Sequence, residues 1–211
     1  MTGLSQASEL AVPALPVSLS PLYPQVSAAM SQRRFHHCLG VTHTAALLAH
    51  RHGLDVMRTA LAALLHDFRK EHHPATLAAE LREANWNLWP LDDDFRKVFH
   101  AWAGEVALQR VFGIGDAEVA EAIRYHPTGH PDMGPMAMVV FLADYIEPGR
   151  GTRPNLAAIR QLAHENLQAA VLMTLREKTQ YLSGKEAAIV HPWSIAACAH
   201  FERAVAAAGI A

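Results

Sequence analysis

The sequence predicts an all-α protein of about eight to ten helices, and three observations lead to this prediction. From Ser27 onward, alanine and leucine dominate, and apolar residues recur with helical spacing. Glycine and proline interrupt the chain at intervals that suit helices joined by short loops. No alternation of apolar and polar residues longer than four residues, the pattern typical of a strand, occurs in the chain.

The interruptions in the first half of the chain separate four predicted helices, at 27–52, 55–66, 74–86 and 92–99. Gly53 ends the first helix, and Asp55 is a natural N-cap for the second because its carboxylate can accept hydrogen bonds from free backbone N–H groups. Pro74 marks the start of the third helix, and Pro90 separates it from the fourth.

Five further helices are predicted at 100–112, 116–126, 133–147, 154–182 and 192–208. The break after the first of these contains Gly113 and Gly115, and Asp116 is again a natural N-cap. The later breaks carry glycine or proline, at 127–129, 148–151 and 183–184. The long predicted helix at 154–182 offers a surface through which the chain could form a homodimer.

The first 26 residues are predicted to form a separate tail. Pro13, Pro16, Pro21 and Pro24 recur among Ser, Ala and Leu, and this spacing prevents a long helix. We therefore expect an extended or disordered proline-rich segment at 1–26, followed by one domain at 27–211.

Composition excludes several classes of partner. The chain of 211 residues is 51% hydrophobic, which suffices for a sizeable core, and its formal net charge of -2 gives no basic surplus for nucleic acid or an anionic membrane. No apolar run reaches the length of a membrane span. Cys38 and Cys198 lack C-x-x-C spacing and indicate buried free thiols in a reducing cytoplasm, so we predict a cytoplasmic protein.

Two sites place charged or ligand-type residues at the end of an apolar segment. His66 and Asp67 follow the apolar run 59–65, and Asp144 follows the apolar run 136–143. An ionised carboxylate buried without a partner costs several kcal/mol, so these groups need partners. A bound metal is one such partner. The alternatives are a histidine at a helix C-terminus next to a capping Asp67, and a salt bridge from Asp144 to a buried arginine.

Three more histidines lie on apolar, small-residue faces: His37, His100 and His126. Each by itself is equally typical of a hydrogen-bonded core histidine. Together with His66, Asp67 and Asp144, however, they repeat one pattern, and six ligand-type groups exceed what one metal needs from a protein. The sequence therefore favours a two-metal hydrolytic site inside a helical bundle.

The other histidines are interpreted as non-ligands. His36, His43 and His50 recur at intervals that separate them by about 10 Å along a helix, too far to share one ion, so this stripe is interpreted as surface or the edge of a groove. His130 and His191 are interpreted as surface or loop residues.

Groups suited to phosphate follow several of the candidate ligands. Lys70 comes three residues after Asp67, and Arg150 comes after Asp144. Thr128 offers a hydroxyl and Gly129 a flexible backbone just after His126. Cations beside a metal centre neutralise charge on phosphoryl oxygens, so these four residues are candidate substrate-binding residues. The alternative for each is a solvated charge or an ordinary turn residue.

The order of these motifs resembles a known family. The stretches that carry the resemblance are 34–41 (RFHHCLGV), 64–70 (LLHDFRK), 100–104 (HAWAG), 122–129 (AIRYHPTG) and 142–150 (LADYIEPGR). Over about residues 33–181 the chain resembles HD-domain phosphohydrolases, and more narrowly the YqeK-type family of symmetrical dinucleoside tetraphosphate hydrolases.

The resemblance implies an all-α HD-domain bundle, a di-iron centre and hydrolysis of diadenosine tetraphosphate to two ADP by a metal-activated water. Carried over by position, the metal ligands are His37, His66, Asp67, His100, His126 and Asp144, and Asp67 bridges two divalent ions. We assign catalytic roles to Asp67 and Lys70. Because mixed imidazole and carboxylate ligands suit several metals, manganese, cobalt and zinc are alternatives to iron.

Three residues next to these motifs depart from the family pattern. Arg69 and Glu105 stand where the family has a small residue and alanine, and Pro127 stands where it has threonine. Two alternatives to the family's activity therefore stay open: another HD-type nucleotide phosphohydrolase or phosphodiesterase, and a metal-stabilised nucleotide-binding module with little turnover. In each case the expected partner is a small nucleotide.

Overall fold

The computed structural model of the chain describes residues 17–151, 155–183 and 189–209. Within these ranges the α-helices are α1 (Tyr23–Ala28), α2 (Gln32–Arg51), α3 (Val56–Leu65), α4 (Pro74–Glu83), α5 (Phe99–Phe112), α6 (Ala117–Tyr125), α7 (Pro135–Ile146), α8 (Leu156–Glu165), α9 (Leu167–Ser183) and α10 (Pro192–Ala207). Short 3-10 helices lie at Val17–Leu22, Asp93–Val98 and Pro148–Arg150. The described ranges contain no strand, and the predicted all-α class is confirmed.

Polar caps explain where several helices begin. The side chains of Asp55 and Asp116, both predicted as N-caps, accept hydrogen bonds from the backbone N–H groups at the starts of α3 and α6. Ser31 caps α2 in the same way by accepting from the Arg34 N–H. These caps satisfy backbone donors that have no partner within a helix, and so they fix the entry points of three helices around the core.

The main core forms around α7, whose side chains are buried around most of its circumference. Helices α2, α6 and α9 pack against α7, and α3 packs against α2 and α6. A helix that is apolar on all sides is stable only when other helices cover it. This arrangement places the C-terminal end of α7, with Asp144, inside the bundle and next to α2.

A second cluster gathers all four tryptophans of the chain. Trp86 stacks on Trp102 with ring centroids 5.3 Å apart, and Trp89 and Trp193 meet edge to face at 5.8 Å. His191 lies among them in the loop before α10 and is 5% exposed, so it is a loop residue as predicted but not a surface residue. Its Nδ1 accepts from the Trp193 N–H and caps α10, which fixes the ring in the cluster.

Some element boundaries differ from the prediction. Residues 17–26, predicted as extended tail, are largely helical, because Pro24 lies in the first turn of α1, where a helix tolerates proline, and Leu19 and Val26 reach the core. The helix predicted from residue 27 begins at Gln32, after a separate α1. Residues 1–16 lie outside the described ranges, and the division into a tail and one domain starting at 27 stays a prediction.

Two other predicted helices also change. The segment predicted as one helix at 154–182 is two helices, since Asn166 has extended backbone angles and its side chain accepts from the Ala169 N–H to start α9. The segment predicted at 92–99 is mostly a 3-10 helix, Asp93–Val98. Residues 152–154 and 184–188 lie outside the described ranges.

Two expectations from composition can be compared with the described part of the chain. None of its helices combines the length and the apolar character that crossing a membrane demands. Both cysteines are free thiols, and Cys38 is buried as predicted, whereas Cys198 is half-buried.

Candidate metal centre

Six side chains from five separate segments converge at the centre of the bundle. His37 lies on α2, His66 and Asp67 directly follow α3, His100 lies in the first turn of α5, His126 directly follows α6, and Asp144 lies in the last turn of α7. They form three overlapping groups, and within each group the potential ligand atoms lie within 4.8 Å of one another: His37, His66 and Asp67; His66, His126 and Asp144; and Asp67, His100 and His126. The predicted convergence of these residues is therefore present in the structure.

The two oxygens of the Asp67 carboxylate face different pairs of imidazoles. Oδ1 lies 3.3 Å from His100 Nε2 and 3.5 Å from His126 Nε2. Oδ2 lies 3.4 Å from His66 Nε2 and 3.9 Å from His37 Nε2. A carboxylate placed in this way can donate one oxygen to each of two cations.

Three of the imidazoles are oriented by the same kind of hydrogen bond. The Nδ1 atoms of His66, His126 and His100 lie 2.6, 2.7 and 2.9 Å from the backbone carbonyl oxygen three residues earlier in the chain. A carbonyl only accepts, so each Nδ1 carries the proton and each Nε2 presents its lone pair to the centre. This is how proteins hold histidines that ligate metals.

The fourth imidazole is oriented by a carboxylate. His37 Nδ1 lies 3.0 Å from Oε1 of Glu147, which is buried and also accepts from the Gly149 N–H through Oε2. A Cβ at Gly40 would lie 2.8 Å from Glu147 Oε2, so the glycine leaves the space that this carboxylate occupies. Sequence reasoning missed the role of Glu147, although a glutamate directly before a helix-ending Pro-Gly pair was the available signal.

Electrostatics favour the protonation states that metal ligands need. Burial lowers the pKa of His126 to about 3, which keeps this imidazole neutral. Burial alone would raise the pKa of Asp67, but the surrounding imidazoles of His66, His100 and His126 hold that pKa well below its usual value. Burial likewise lowers the pKa of His100. His66 is the exception, because the carboxylates of Asp67 and Asp144 outweigh its burial and raise its pKa. The centre therefore combines an ionised Asp67 carboxylate with two imidazoles that burial keeps neutral, the forms that bind a cation.

Two buried atoms at the centre fit a bound cation. His66 Nε2 and Asp67 Oδ1 are buried and make no hydrogen bond with any residue in the described ranges. Both are electron-pair donors, and leaving such atoms buried without a partner costs free energy. A metal ion bound by these atoms would satisfy them, so the residues present fit the metal centre that the sequence predicts.

Three cationic side chains surround the centre. Lys70 Nζ lies 3.2 Å from His100 Nε2, and Arg150 forms a short ion pair with Asp144. The alternative considered for Asp144, an arginine salt bridge, is thus also present in the structure. Arg34 Nη1 lies 2.7 Å from Asp67 Oδ2, a contact that sequence reasoning missed because Arg34, in the first turn of α2, resembles an ordinary surface charge.

The backbone N–H groups of Thr128 and Gly129 are already hydrogen-bonded and so are not free to bind phosphate. The Gly129 N–H donates to the Tyr125 carbonyl at 2.7 Å and the Thr128 N–H to the same oxygen at 3.2 Å, and both bonds close the end of α6. A Cβ at Gly129 would lie 3.1 Å from the Leu175 side chain, which places this glycine against the core. The prediction that this backbone binds phosphate is therefore not supported by the geometry.

The three departures from the family pattern have local partners. Arg69 pairs with Glu80 at 3.3 Å, and Glu105 forms a two-pronged ion pair with Arg124. The carbonyl oxygen of Pro127 accepts from Lys178. His36 and His50 of the histidine stripe are exposed and His43 is half-buried, in line with the interpretation as surface.

Comparison with known proteins gives matches over most of the chain. Residues 34–149 match the family model described as HD domain. The symmetrical bis(5'-nucleosyl)-tetraphosphatase of Bacillus subtilis is 33% identical over 164 residues, which cover 76% of this chain and 85% of that protein. The protein of the same name from Halalkalibacterium halodurans is 34% identical over 159 residues, or 74% of this chain and 82% of that protein.

A solved structure is also similar. It is the crystal structure of a predicted HD superfamily hydrolase involved in NAD metabolism, from Clostridium acetobutylicum. The two chains superpose with a TM-score of 0.82 at 27% identity, over 88% of this chain and 97% of that chain. The helical bundle described above is therefore the architecture of a known HD protein.

Proposed function

Because this chain belongs to the HD-domain family, and within it to the symmetrical bis(5'-nucleosyl)-tetraphosphatases, we propose that it hydrolyses diadenosine tetraphosphate to two ADP at the centre formed around Asp67. The chain is a hydrolase of phosphoanhydride bonds by its membership of this family. The substrate that its relatives' names give is a small nucleotide, which is compatible with a chain of no basic surplus.

The observation that carries the proposal is the division of the Asp67 carboxylate between two pairs of imidazoles. We propose that His37, His66, His100, His126 and Asp144 hold two divalent ions and that Asp67 is shared between them. Two such ions would lower the pKa of a water molecule and neutralise charge on phosphoryl oxygens. Iron is our first expectation, with manganese, cobalt and zinc as alternatives.

The cationic side chains would hold the substrate. Lys70 lies at the His100 side of the centre and Arg150 at the His37 side, so two positive charges flank the place where phosphates would lie. Burial lowers the pKa of Lys70, so its ammonium group gives up a proton more readily than that of an exposed lysine. We therefore assign Lys70 a catalytic and phosphate-binding role, and Arg150 a phosphate-binding role.

The experiment is a product assay. Purified protein is supplied with iron or manganese under anaerobic conditions and given diadenosine tetraphosphate, and the nucleotides are separated by chromatography. Two ADP per substrate is the expected result, and Asp67→Asn is the inactive control. Release of ATP plus AMP would contradict symmetrical cleavage, and tight nucleotide binding without turnover would favour a binding module.

Two further expectations belong to this proposal. We propose a cytoplasmic location, which the free thiols and the composition support. A homodimer through the segment at 154–182 stays a prediction, and size-exclusion chromatography with light scattering would test it.

A further inference from the structure

A basic pocket of about 340 Å³ opens beside His37. Its lining is formed by three arginines and the residues between them: Arg33, Arg34, His36, His37, Glu147, Gly149 and Arg150. Arg33 is exposed and makes no hydrogen bond or short ion pair within the described ranges, so its charge is available to a ligand. A pocket with this charge suits a chain of phosphate groups.

Arg150 links this pocket to the metal centre. Its Nη2 pairs with Asp144 Oδ1 and lies 3.2 Å from His37 Nε2. Its Nε donates separately to the backbone carbonyl of Asp144 at 2.7 Å. Nη2 of the guanidinium thus contacts two proposed ligand atoms, while Nε is hydrogen-bonded to the backbone.

A metal ion and Arg150 Nη2 cannot use these two atoms together. An imidazole nitrogen has a single position for either a proton or a bound cation, and Arg150 Nη2 stands beside that position on His37. A divalent ion bound there would also lie within a few ångströms of the positive guanidinium, and like charges at that separation repel. Binding of a metal by His37 and Asp144 therefore requires Arg150 Nη2 to move.

We propose that Arg150 exchanges between the metal ligands and the basic pocket, so that metal binding at His37 and Asp144 releases its guanidinium to bind phosphate next to Arg33 and Arg34. This inference rests on the proposed function, because it needs a metal at these residues. The bond from Nε to the Asp144 carbonyl keeps the side chain at the edge of the pocket. By thermodynamic linkage, metal then raises the affinity for phosphate, and phosphate raises the affinity for metal.

Titrations of chelator-treated protein with Co²⁺, followed by visible absorption, measure metal binding without turnover. Inorganic phosphate is the anion probe, titrated by calorimetry into Co²⁺-loaded protein. We expect R150Q to bind Co²⁺ at least about threefold more tightly than the unchanged protein, and to bind phosphate about tenfold more weakly. The matched control R33Q, in the same pocket but without a contact to a ligand atom, should weaken phosphate binding and leave the affinity for Co²⁺ unchanged.

The outcomes separate this inference from the proposed function. If the unchanged protein binds Co²⁺ and R150Q binds it equally well or less tightly, Arg150 does not compete with the metal and the inference is overturned. An unchanged protein that binds no Co²⁺ contradicts the metal centre itself and the inference with it. R150K keeps the charge but not the planar fork, so its affinity for phosphate should lie between those of the unchanged protein and R150Q. If circular dichroism shows that R150Q is misfolded, R150K replaces it in both titrations.

Discussion

Asp67 and His100 meet in the metal centre, with Asp67 Oδ1 3.3 Å from His100 Nε2, although one follows α3 and the other lies in the first turn of α5. Asp67 contacts His100 through Oδ1 and His66 through Oδ2, so it takes part in both halves of the centre, whereas His100 lies in one half. Substitution at Asp67 should therefore disturb both halves of the centre, and substitution at His100 only one.

The first prediction compares these two residues. Asp67→Asn should reduce the metal content by more than His100→Gln does and should lower kcat at least about a hundredfold, because a neutral amide cannot balance two cations. Metal analysis by mass spectrometry and the ADP assay provide the two readouts. Equal metal content in Asp67→Asn and the unchanged protein would show that Asp67 is not shared between ions.

The second prediction concerns Glu147, which orients His37. Glu147→Gln should lower the affinity for Co²⁺ about 10- to 100-fold, since the amide is a weaker acceptor for the imidazole N–H. Glu105→Gln is the matched control, because it breaks an ion pair with Arg124 and touches no ligand. A similar loss of metal affinity in both variants would indicate a general effect on the fold.

The third prediction concerns the space at Gly40. Gly40→Ala would push a methyl group against Glu147 Oε2, at 2.8 Å, and the flexible carboxylate must then shift away from His37. We expect a fall in metal affinity and activity with little loss of thermal stability. Gly53→Ala is a useful contrast, because a Cβ there meets nothing within 4 Å and its positive φ of 68° makes stability the affected quantity.

The fourth prediction is a pH dependence away from the metal centre. Hydrogen bonds from Arg58 lower the pKa of Asp116 to about 2 from 3.8, so the carboxylate stabilises the folded state above the higher value and this contribution is lost as pH falls toward the lower one. Asp116→Ala should lower the free energy of unfolding by about 1–2 kcal/mol near neutral pH, mostly through the lost N-cap. Urea unfolding should show this difference shrinking near pH 2.

A companion variant separates the cap from the charge. Asp116→Asn keeps a good N-cap for α6 and removes only the ion pair with Arg58. It should therefore cost less than Asp116→Ala near neutral pH. If the two variants are equally destabilised, the ion pair and not the cap provides the stability.

The fifth prediction concerns removal of metal. Chelation should lower the melting temperature by about 5 °C or more, because metal bound only to the folded state stabilises it by about 2.7 kcal/mol at a hundredfold excess over Kd. Adding Mn²⁺ back should restore it. Differential scanning fluorimetry with Mg²⁺ in place of Mn²⁺ controls for ionic strength, and a melting temperature indifferent to chelator would argue against a buried metal.

The sequence was sufficient to identify the six convergent residues, because each is a ligand-type side chain on an apolar helix face or at the end of an apolar run. Burial of such groups has few physical solutions, so the pattern predicts a shared site even without coordinates. Glu147 and Arg34 were missed because their roles depend on which residues face them across the bundle, and no local pattern encodes that. Both act through contacts between segments far apart in the chain.

Errors in the fold prediction have local causes. Asn166 splits the segment at 154–182 through a side-chain cap that competes with the helical backbone, and a run of good helix formers on both sides concealed it. His191 was interpreted as a surface or loop residue because it lacks the apolar, small-residue context of the candidate ligands. Its burial comes from the tryptophan cluster, and its ring caps α10 just before Pro192. Thr128 and Gly129 were predicted to bind phosphate through a hydroxyl and a flexible backbone, and in the structure both backbone N–H groups close α6. Binding through the Thr128 hydroxyl stays a prediction.

The gathering of every tryptophan into one cluster gives the protein a built-in optical probe of a single region. Trp102 lies two residues after His100 on α5, so emission from this cluster should respond when a paramagnetic ion such as Co²⁺ binds nearby. For the same reason tryptophan fluorescence reports only on the unfolding of this region during denaturation. Agreement between its transition and that of far-ultraviolet dichroism would show that the tryptophan cluster and the main core unfold together.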